Sequence, residues 1–314
     1  LKIFKLKSQL SDRHYLEKKV SQIVIGTMLE GRTIDLPYAS VLFDDYFERG
    51  GNCFDTANIY GGGKSEKLLG QWIKNRNIRN EVIIIGKGAH TPNCNPASLV
   101  LQLNESLERM QTNFVDIYML HRDNLEIPAG EFVEVLNAQV KLGKIKTFGG
   151  SNWSIPRIEE ANAYAKKKGL QGFACLSNNF SLARLIEPMW AGCISASDGN
   201  SKKWLKENSF ANFAWSSQAR GFFSGRAHPD YKGDAELVRC WYSEDNFKRL
   251  KRAEELAKKK KVTTVTIVAA YVLYQQFPSF AIIGPRTLDE TRTTLEALEV
   301  RLSGDEARYL NLEE

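Results

Sequence analysis

The sequence predicts a single-domain (β/α)8 barrel, and three observations support this fold class. Its 314 residues fall in the range of one such barrel, about 200 to more than 400 residues. Short apolar runs alternate with helix-like stretches along the whole chain, without a linker rich in Pro, Gly and Ser, as expected of parallel strands joined by helices. Gly26 and Thr27 are followed by Met28, so the Gly-x-Gly-x-x-Gly turn of the rival open dinucleotide-binding sheet is absent.

Eight short apolar runs are typical of buried parallel strands, which read as continuous hydrophobic segments. In chain order they are Ile23–Thr27, Asn52–Asp55, Val82–Gly86, Val115–Leu120, Thr147–Gly150, Phe173–Ser177, Phe210–Ala214 and Ala281–Ile283. Helix-like stretches follow them near Ala39–Gly50, Glu66–Lys74, Pro96–Met110, Glu131–Lys141, Pro156–Lys168, Lys202–Glu207, Glu244–Phe277 (two helices) and Leu288–Leu298. The segment Ser216–Ser243 lacks periodic apolar residues, which indicates a functional loop.

Composition and charge argue against several classes of protein. The chain is 43% hydrophobic and 25% charged with a net charge of +6, which is ordinary for a globular protein. The basic run Lys258–Lys261 is interpreted as a solvated helix end, because no aromatic or glycine pattern of a nucleic-acid-binding surface accompanies it. No apolar run approaches the length of a membrane span. We therefore expect no nucleic-acid or membrane partner, and the oligomeric state stays open.

The five cysteines form an odd set without Cys-x-x-Cys spacing. This pattern favours a reducing, cytoplasmic compartment over a disulfide framework or a zinc site. Cys53 and Cys175 lie inside strand-like runs and are interpreted as small buried hydrophobic residues. We expect one domain over residues 1–314; because the chain begins with Leu1 rather than Met, whether a further domain precedes it stays open.

Polar side chains stand at or just beyond the ends of three successive predicted strands. Asp55 ends one strand and is soon followed by Tyr60, Lys87 follows the next strand, and His121 follows the third. Barrel enzymes carry their catalytic groups at these strand ends. A nearby ammonium lowers the pKa of a phenol and makes it a usable proton donor, while an imidazole can orient a carbonyl. A rim salt bridge or core packing explains each residue alone, but the four together favour catalysis.

The segment Gly61-Gly62-Gly63-Lys64-Ser65 is similar to part of a phosphate-binding loop. The full pattern needs a glycine where Asn58 stands, and no strand directly precedes the loop. The segment is therefore interpreted as a flexible loop in which Ser65 caps a helix that begins at Glu66.

A series of motifs in a fixed order carries a family resemblance. They are Asp55-Thr56-Ala57-x-x-Tyr60-Gly61, Gly86-Lys87, Leu120-His121, Gly149-Gly150-Ser151-Asn152-Trp153, Phe180-Ser181-Leu182, the run from Trp215 to Gly225, and Ile283-Gly284-Pro285-Arg286-Thr287. Over nearly its whole length, the chain resembles the aldo-keto reductases. This resemblance implies a β/α barrel that binds NADP(H) in extended form and interconverts a carbonyl and an alcohol.

The resemblance also implies roles for individual residues. Tyr60 is the general acid/base, tuned by Lys87, which pairs with Asp55, and His121 orients the substrate. The implied cofactor contacts lie at the strand ends, in the loop after the seventh strand and after the last strand: Thr27, Met28, Asp55, Ser151, Asn152, Ser177, Trp215, Ser216, Gln218, Ala219, Gly221, Arg226, Gly284, Arg286, Glu290 and Thr294.

The chain departs from the family pattern at several of these positions. Ser177 replaces a Gln that completes the clamp on the nicotinamide carboxamide; serine has a donor and an acceptor but a shorter reach. Trp215 replaces a Tyr in stacking on the nicotinamide ring, and Thr294 replaces an Asn near the adenine. Arg286 favours NADP(H) because its guanidinium suits a 2′-phosphate, although pairing with the nearby Glu290 would weaken that preference.

Two functions remain open, and the substrate is predicted only by class. The first is a carbonyl-reducing enzyme; the second is a redox-sensing regulatory subunit similar to potassium-channel β subunits, which keep the same catalytic residues and cofactor. The expected substrate is a small hydroxylated carbonyl such as a sugar. The chain ends soon after the last predicted helix, so no long C-terminal loop is expected to build a deep apolar slot for a bulky ketone. Its contacts are expected from Tyr60, His121, Arg122 and Trp190, with Asp123 and Trp204 at the same rim, unless both tryptophans only pack the loop.

Overall fold

Eight parallel strands form a closed barrel in the computed structural model, which describes residues 16, 18–29, 31 and 33–313 and the backbone of residues 3 and 4. The strands follow chain order around the barrel, and the last pairs with the first. They are β1 (Ile23–Gly26), β2 (Cys53–Asp55), β3 (Ile83–Gly88), β4 (Val115–Leu120), β5 (Ile145–Ser151), β6 (Cys175–Ser177), β7 (Ala211–Ala214) and β8 (Ser279–Ile283). The predicted fold class is confirmed.

Helices surround the barrel and connect its strands. They are α1 (Leu36–Glu48), α2 (Lys64–Arg76), α3 (Pro96–Arg109), α4 (Ala129–Lys141), α5 (Ile155–Lys168), α6 (Gly199–Glu207), α7 (Ala235–Trp241), α8 (Glu244–Lys260), α9 (Thr264–Leu273), α10 (Leu288–Leu295) and α11 (Gly304–Asn311). Among the described residues, no helix is long and apolar enough to cross a membrane.

Short polar side chains determine where most of these helices begin. Each cap accepts the backbone N–H three residues further on, a contact typically worth about 1 kcal/mol. The caps are Asp35, Asn95, Ser154, Asp198, Asp234, Ser243, Thr263, Thr287 and Ser303.

The core has two layers because successive strand residues face opposite sides of the sheet. Ile83, Ile85 and Met119 belong to a cluster inside the barrel. Alternate residues such as Ile84 pack outwards against the helices. Leu16 joins the inner cluster from ahead of β1, so it helps to close the N-terminal end of the barrel. The opposite end stays open for the functional site.

Several predicted boundaries differ from the structure. Lys87 lies inside β3, which continues to Gly88. Ser65 does not cap a helix: α2 already begins at Lys64, Gly63 stands at its cap, and Ser65 is buried within the first turn. The predicted loop Ser216–Ser243 contains α7, and α11 was not predicted. All five cysteines are buried and free.

Candidate active site

A large cavity opens at the C-terminal ends of the barrel strands. Its volume is about 1630 Å³, whereas pockets for single small ligands usually measure about 300–1,000 Å³. The wall includes the ends of β2, β3, β4 and β5, the segment after β7, and α10. The cavity therefore has room for two molecules side by side, in the place where barrel enzymes carry their active sites.

The backbone brings Tyr60 back over Lys87. Beyond β2, the N–H groups of Thr56 and Asn58 donate to the carbonyls of Ile85 and Lys87, both at 2.8 Å, so the two chains stay paired past the strand end. A 3₁₀ turn, Tyr60–Gly63, follows. Its three glycines have φ between 56° and 87°, a region that glycine adopts without the penalty of a Cβ atom.

Asp55, Tyr60, Lys87 and His121 all lie on the cavity wall. Lys87 Nζ donates to an Asp55 carboxylate oxygen, and both side chains are buried. The same Nζ lies 5.0 Å from the centre of the Tyr60 ring. The rings of Tyr60 and His121 meet edge to face with their centres 5.7 Å apart. An acid, an amine, a phenol and an imidazole thus converge as the sequence predicted.

Neighbouring charges keep Lys87 protonated. Burial alone would lower the pKa of its ammonium, but Asp55 and Tyr60 together hold that pKa above its ordinary value. Lys87 is therefore a fixed positive charge beside the phenol.

The predicted lowering of the Tyr60 pKa by Lys87 is present, but burial outweighs it. The pKa of the phenol therefore lies above its ordinary value. The reason is that removing a phenolate from water is costly. Tyr60 consequently keeps its proton at neutral pH, and Lys87 stabilises the phenolate only once that proton has been given up.

His121 is a neutral imidazole. Burial, Lys87, Arg122 and a second histidine, His90, all lower its pKa, which lies well below the ordinary value. The ring of His90 meets that of His121 edge to face, with ring centres 4.9 Å apart. His121 Nδ1 is buried and has no hydrogen-bond partner among the described residues.

Ser151, Asn152 and Ser177 lie on the same wall, and the hydroxyls of the two serines already donate to backbone carbonyls. Ser151 Oγ donates to the Ser177 carbonyl and Ser177 Oγ donates to the Phe213 carbonyl, both at 3.0 Å. Asn152 Oδ1 accepts the Ile194 N–H at 3.2 Å. In this arrangement each serine hydroxyl donates within the protein and keeps a lone pair with which to accept a hydrogen bond from a ligand.

A lid segment, defined here as residues 215–226, forms one side of the cavity. Trp215, Ser216, Gln218, Gly221 and Arg226 all line it. Two ion pairs attach the lid to α7 and to its N-cap: Arg220 with Glu236 at 3.2 Å, and Arg226 with Asp234 at 2.5 Å.

The end of the cavity beside α10 carries Arg286, with Gly284, Glu290 and Thr294 also on the wall. Glu290 accepts the backbone N–H of Arg286 at 2.5 Å, and no ion pair between the two side chains occurs in the described part of the chain. Arg286 is exposed. Gln218 Nε2 donates to Thr294 Oγ1 at 2.9 Å, so the lid also contacts α10.

Some expected site residues have other environments. Thr27 and Ala219 are fully buried and do not line the cavity, whereas Met28 does. Thr27 extends the pairing of β1 with β2 through a 2.8 Å bond from its N–H to the Asp55 carbonyl, and Ala219 packs in the outer core. Trp204 is also away from the cavity, because its indole donates to Glu159 at 2.7 Å.

Arg122 and Asp123 reach the wall but are largely engaged within the protein. Arg122 donates to the carbonyls of His121 at 2.8 Å and Ala191 at 3.3 Å, and to Cys193 Sγ at 3.4 Å. Asp123 is paired with Arg157. The hydrogen bonds of Arg122 therefore connect the backbone of His121 to the loop that carries Trp190.

Sequence reasoning missed several residues of the cavity wall. Leu29, Ile59, His90 and Cys193 line the same cavity. His90 had a detectable signal, because it lies two residues beyond the end of β3, where this barrel places polar groups. Cys193 had none.

Comparisons with known proteins identify the family. The sequence model of the Aldo/keto reductase family matches residues 22–311, and the chain belongs to this family. The uncharacterized oxidoreductase YrpG of Bacillus subtilis (strain 168) is 27% identical over 93% of this chain and 92% of its own length. An aryl-alcohol dehydrogenase of Pestalotiopsis microspora is 26% identical over 86% of this chain and 70% of its own.

The same fold occurs in solved structures. An aldo-keto reductase from Klebsiella pneumoniae, crystallised in complex with NADPH, has a TM-score of 0.73 to this chain at 22% identity. The match covers 98% of this chain and 95% of that one.

Proposed function

We propose that this chain is an NADP(H)-dependent oxidoreductase that interconverts a carbonyl and an alcohol, with Tyr60 as the proton donor. The observation that carries the proposal is the convergence of Tyr60, Lys87, Asp55 and His121 on one cavity. Membership of the Aldo/keto reductase family supports it.

The residues present fit a nicotinamide cofactor phosphorylated on its adenosine. The cavity has room for a long ligand and a substrate. Ser151 and Ser177 offer acceptors to a carboxamide NH₂, and Trp215 offers an aromatic face on the same wall. At the other end, Arg286 supplies a planar guanidinium that suits a phosphate. When bound, the cofactor would supply or accept a hydride.

The residues of the chain account for the rest of the reaction. Neutral His121 carries one N–H with which to orient a carbonyl oxygen beside the Tyr60 hydroxyl. As negative charge develops on that oxygen, Tyr60 transfers its proton to it, and the resulting phenolate is stabilised by the Lys87 ammonium. Asp55 keeps that ammonium in place. General acid catalysis of this kind typically contributes about 10²–10⁴-fold.

The substrate side of the cavity suits an aromatic carbonyl better than the sugar expected from the sequence. Trp190 and Trp215 present indoles with centres 6.5 Å apart, and Leu29 and Ile59 add apolar surface. Arg122 and Asp123, the expected partners of sugar hydroxyls, are engaged within the protein. The aryl-alcohol dehydrogenase among the similar proteins supports an aryl substrate.

Tyr60→Phe tests the proposal. Loss of the phenol should reduce turnover of benzaldehyde by about 10²–10⁴-fold while NADPH binding, measured by fluorescence titration, stays close to wild type because the ring remains. Retention of more than about a tenth of the wild-type rate would rule out Tyr60 as the acid of a reaction in this range.

A substrate panel separates the remaining alternatives. A higher kcat/KM for a sugar aldehyde than for benzaldehyde would favour the hydroxylated-carbonyl substrate predicted from the sequence. If the wild-type protein binds NADPH but turns over no carbonyl in the panel, the regulatory-subunit hypothesis gains.

A further inference from the structure

His90 places a second imidazole on the substrate side of the cavity. It follows β3 and lies against His121, with ring centres 4.9 Å apart. His121 in turn contacts Tyr60. A molecule whose carbonyl is held between Tyr60 and His121 therefore has His90 within reach of its other substituents.

The hydrogen bond made by one nitrogen of His90 determines what the other can do. His90 Nδ1 lies 2.8 Å from the carbonyl oxygen of Thr91. A carbonyl oxygen only accepts hydrogen bonds, so Nδ1 must carry the hydrogen. In a neutral ring, Nε2 is then an acceptor. No partner for Nε2 occurs among the described residues.

The surroundings favour the neutral form of this ring. Burial lowers the pKa of His90, and the positive charge of Arg122 lowers it further, against the opposing effect of the Thr91 carbonyl. The neighbouring His121 is neutral as well. Thr91 and Trp190, which line the same cavity, carry no charge.

We propose that His90 is a specificity-determining residue whose Nε2 accepts a hydrogen bond from a hydroxyl group on the substrate, so that the preferred substrates are hydroxyl-substituted aryl carbonyls. This inference rests on the proposed function and narrows it. A site that offers an acceptor discriminates against an analogue without the hydroxyl, because the acceptor then loses its partner on desolvation.

The test compares pairs of substrates in which the same ring oxygen carries either a hydrogen or a methyl group. Hydroxybenzaldehydes and methoxybenzaldehydes substituted at the same ring position keep the oxygen but differ in the donor. We expect wild-type kcat/KM to favour the hydroxy member by about tenfold at one ring position, the usual scale for an unpaired hydrogen-bonding group. His90→Phe should abolish this ratio, whereas His90→Gln, which keeps a side-chain acceptor, should restore part of it.

Thr91→Val is the matched control, because it removes a hydroxyl from the adjacent residue and should retain the ratio. The proposal is overturned if the wild-type protein shows no hydroxy preference at any ring position, or if His90→Phe keeps that preference. Each variant serves as its own internal control, since a folding defect would affect both members of a pair equally.

A binding measurement separates this proposal from the proposed function. Calorimetric titration of the NADPH-loaded protein with hydroxybenzyl and methoxybenzyl alcohols measures binding without turnover, because the cofactor and the alcohol are both in the reduced state. If the wild-type protein binds the hydroxybenzyl alcohol more tightly and His90→Phe does not, the role of His90 is supported. If the same protein reduces no aldehyde, the proposed function is wrong while the role of His90 still holds. Equal binding of both alcohols by wild type and His90→Phe, with normal benzaldehyde turnover, would overturn only the role of His90.

Discussion

Lys87 is the residue on which the chemistry of Tyr60 depends. Its ammonium opposes the rise that burial causes in the pKa of the phenol. Lys87→Met should therefore raise that pKa further and slow carbonyl reduction by about 10²–10⁴-fold. Since reduction needs the protonated phenol, the alkaline limb of the pH–rate profile should move to higher pH. Steady-state rates across the pH range measure this shift.

A control is needed because Lys87→Met also leaves Asp55 buried without its partner. Breaking a buried ion pair typically costs about 3–5 kcal/mol of stability. The double variant Asp55→Asn, Lys87→Met removes that unpaired carboxylate and should lose less thermal stability. Its alkaline limb should also move to higher pH, but less far than in Lys87→Met, because the Asp55 charge itself raises the Tyr60 pKa. An alkaline limb that stays in place in both variants would contradict the role given to Lys87.

Two arginines of the cavity differ in how free they are to bind a phosphate. Arg226 is paired with Asp234, whereas Arg286 is not joined to Glu290 through its side chain. Arg286→Ala should raise the KM for NADPH by about 10–100-fold, the scale of a lost charge-assisted hydrogen bond, and leave the KM for NADH nearly unchanged. Arg226→Ala is the matched control and should affect both cofactors alike. Equal changes for NADPH and NADH in Arg286→Ala would show that Arg286 does not contact the 2′-phosphate.

The role of a single residue could be predicted from the sequence where its position on a strand determines its neighbours. Asp55, Lys87 and His121 stand at or near strand ends, so the barrel topology alone brings them together. Arg122 stands in the same kind of position, but two long-range contacts, with Ala191 and Cys193, engage its guanidinium. Those contacts depend on a loop around residue 191, whose path the sequence does not reveal.

At the scale of elements, two ion pairs join the lid to the N-terminal part of α7. Its two ion pairs with this region involve largely exposed side chains, and such pairs are worth about 0.2–1 kcal/mol each. Combining Asp234→Asn with Glu236→Gln should therefore speed the release of NADPH by a few-fold, up to about tenfold, as measured by stopped-flow fluorescence.

The choice of asparagine separates charge from helix capping. Asp234 also caps α7 by accepting the Leu237 N–H at 3.0 Å, and asparagine caps equally well. Added salt should speed release from the wild-type protein and have little effect on the double variant, because exposed ion pairs are screened. The same salt dependence in both proteins would show that these pairs do not hold the lid.

The elements missed in the sequence were short ones. α7 and α11 have 7 and 8 residues, too few for a convincing apolar period. Their caps were nevertheless visible: Ser303 and Glu306 form a capping box at the start of α11. The longer helices and the strands were predicted because their apolar patterns extend over whole elements, while their ends shifted by a few residues.

At the scale of the whole molecule, the residues expected to act in catalysis and those expected to stabilise the fold lie at opposite ends of the barrel. Asp55 and Asp116 are both buried carboxylates paired with cations, but they lie near opposite ends of their strands. Asp55 ends β2 and faces the cavity. Asp116, near the start of β4, pairs with Lys18 at 2.6 Å and Arg79 at 2.9 Å and accepts the Ile84 N–H at 3.0 Å. Groups at the N-terminal end of such barrels serve stability.

Asp116→Asn should therefore destabilise the protein without altering its chemistry. The amide keeps an acceptor for the Ile84 N–H but leaves Lys18 and Arg79 without their countercharge, at a cost of about 3–5 kcal/mol. Thermal unfolding should begin several degrees lower, while kcat per folded molecule at 25 °C stays at the wild-type value. Asp55→Asn leaves the buried Lys87 ammonium without its partner, so it should destabilise the protein by a similar amount and in addition lose most of its activity. If Asp116→Asn lowered kcat as strongly as Asp55→Asn, the two ends of the barrel would be coupled rather than separate.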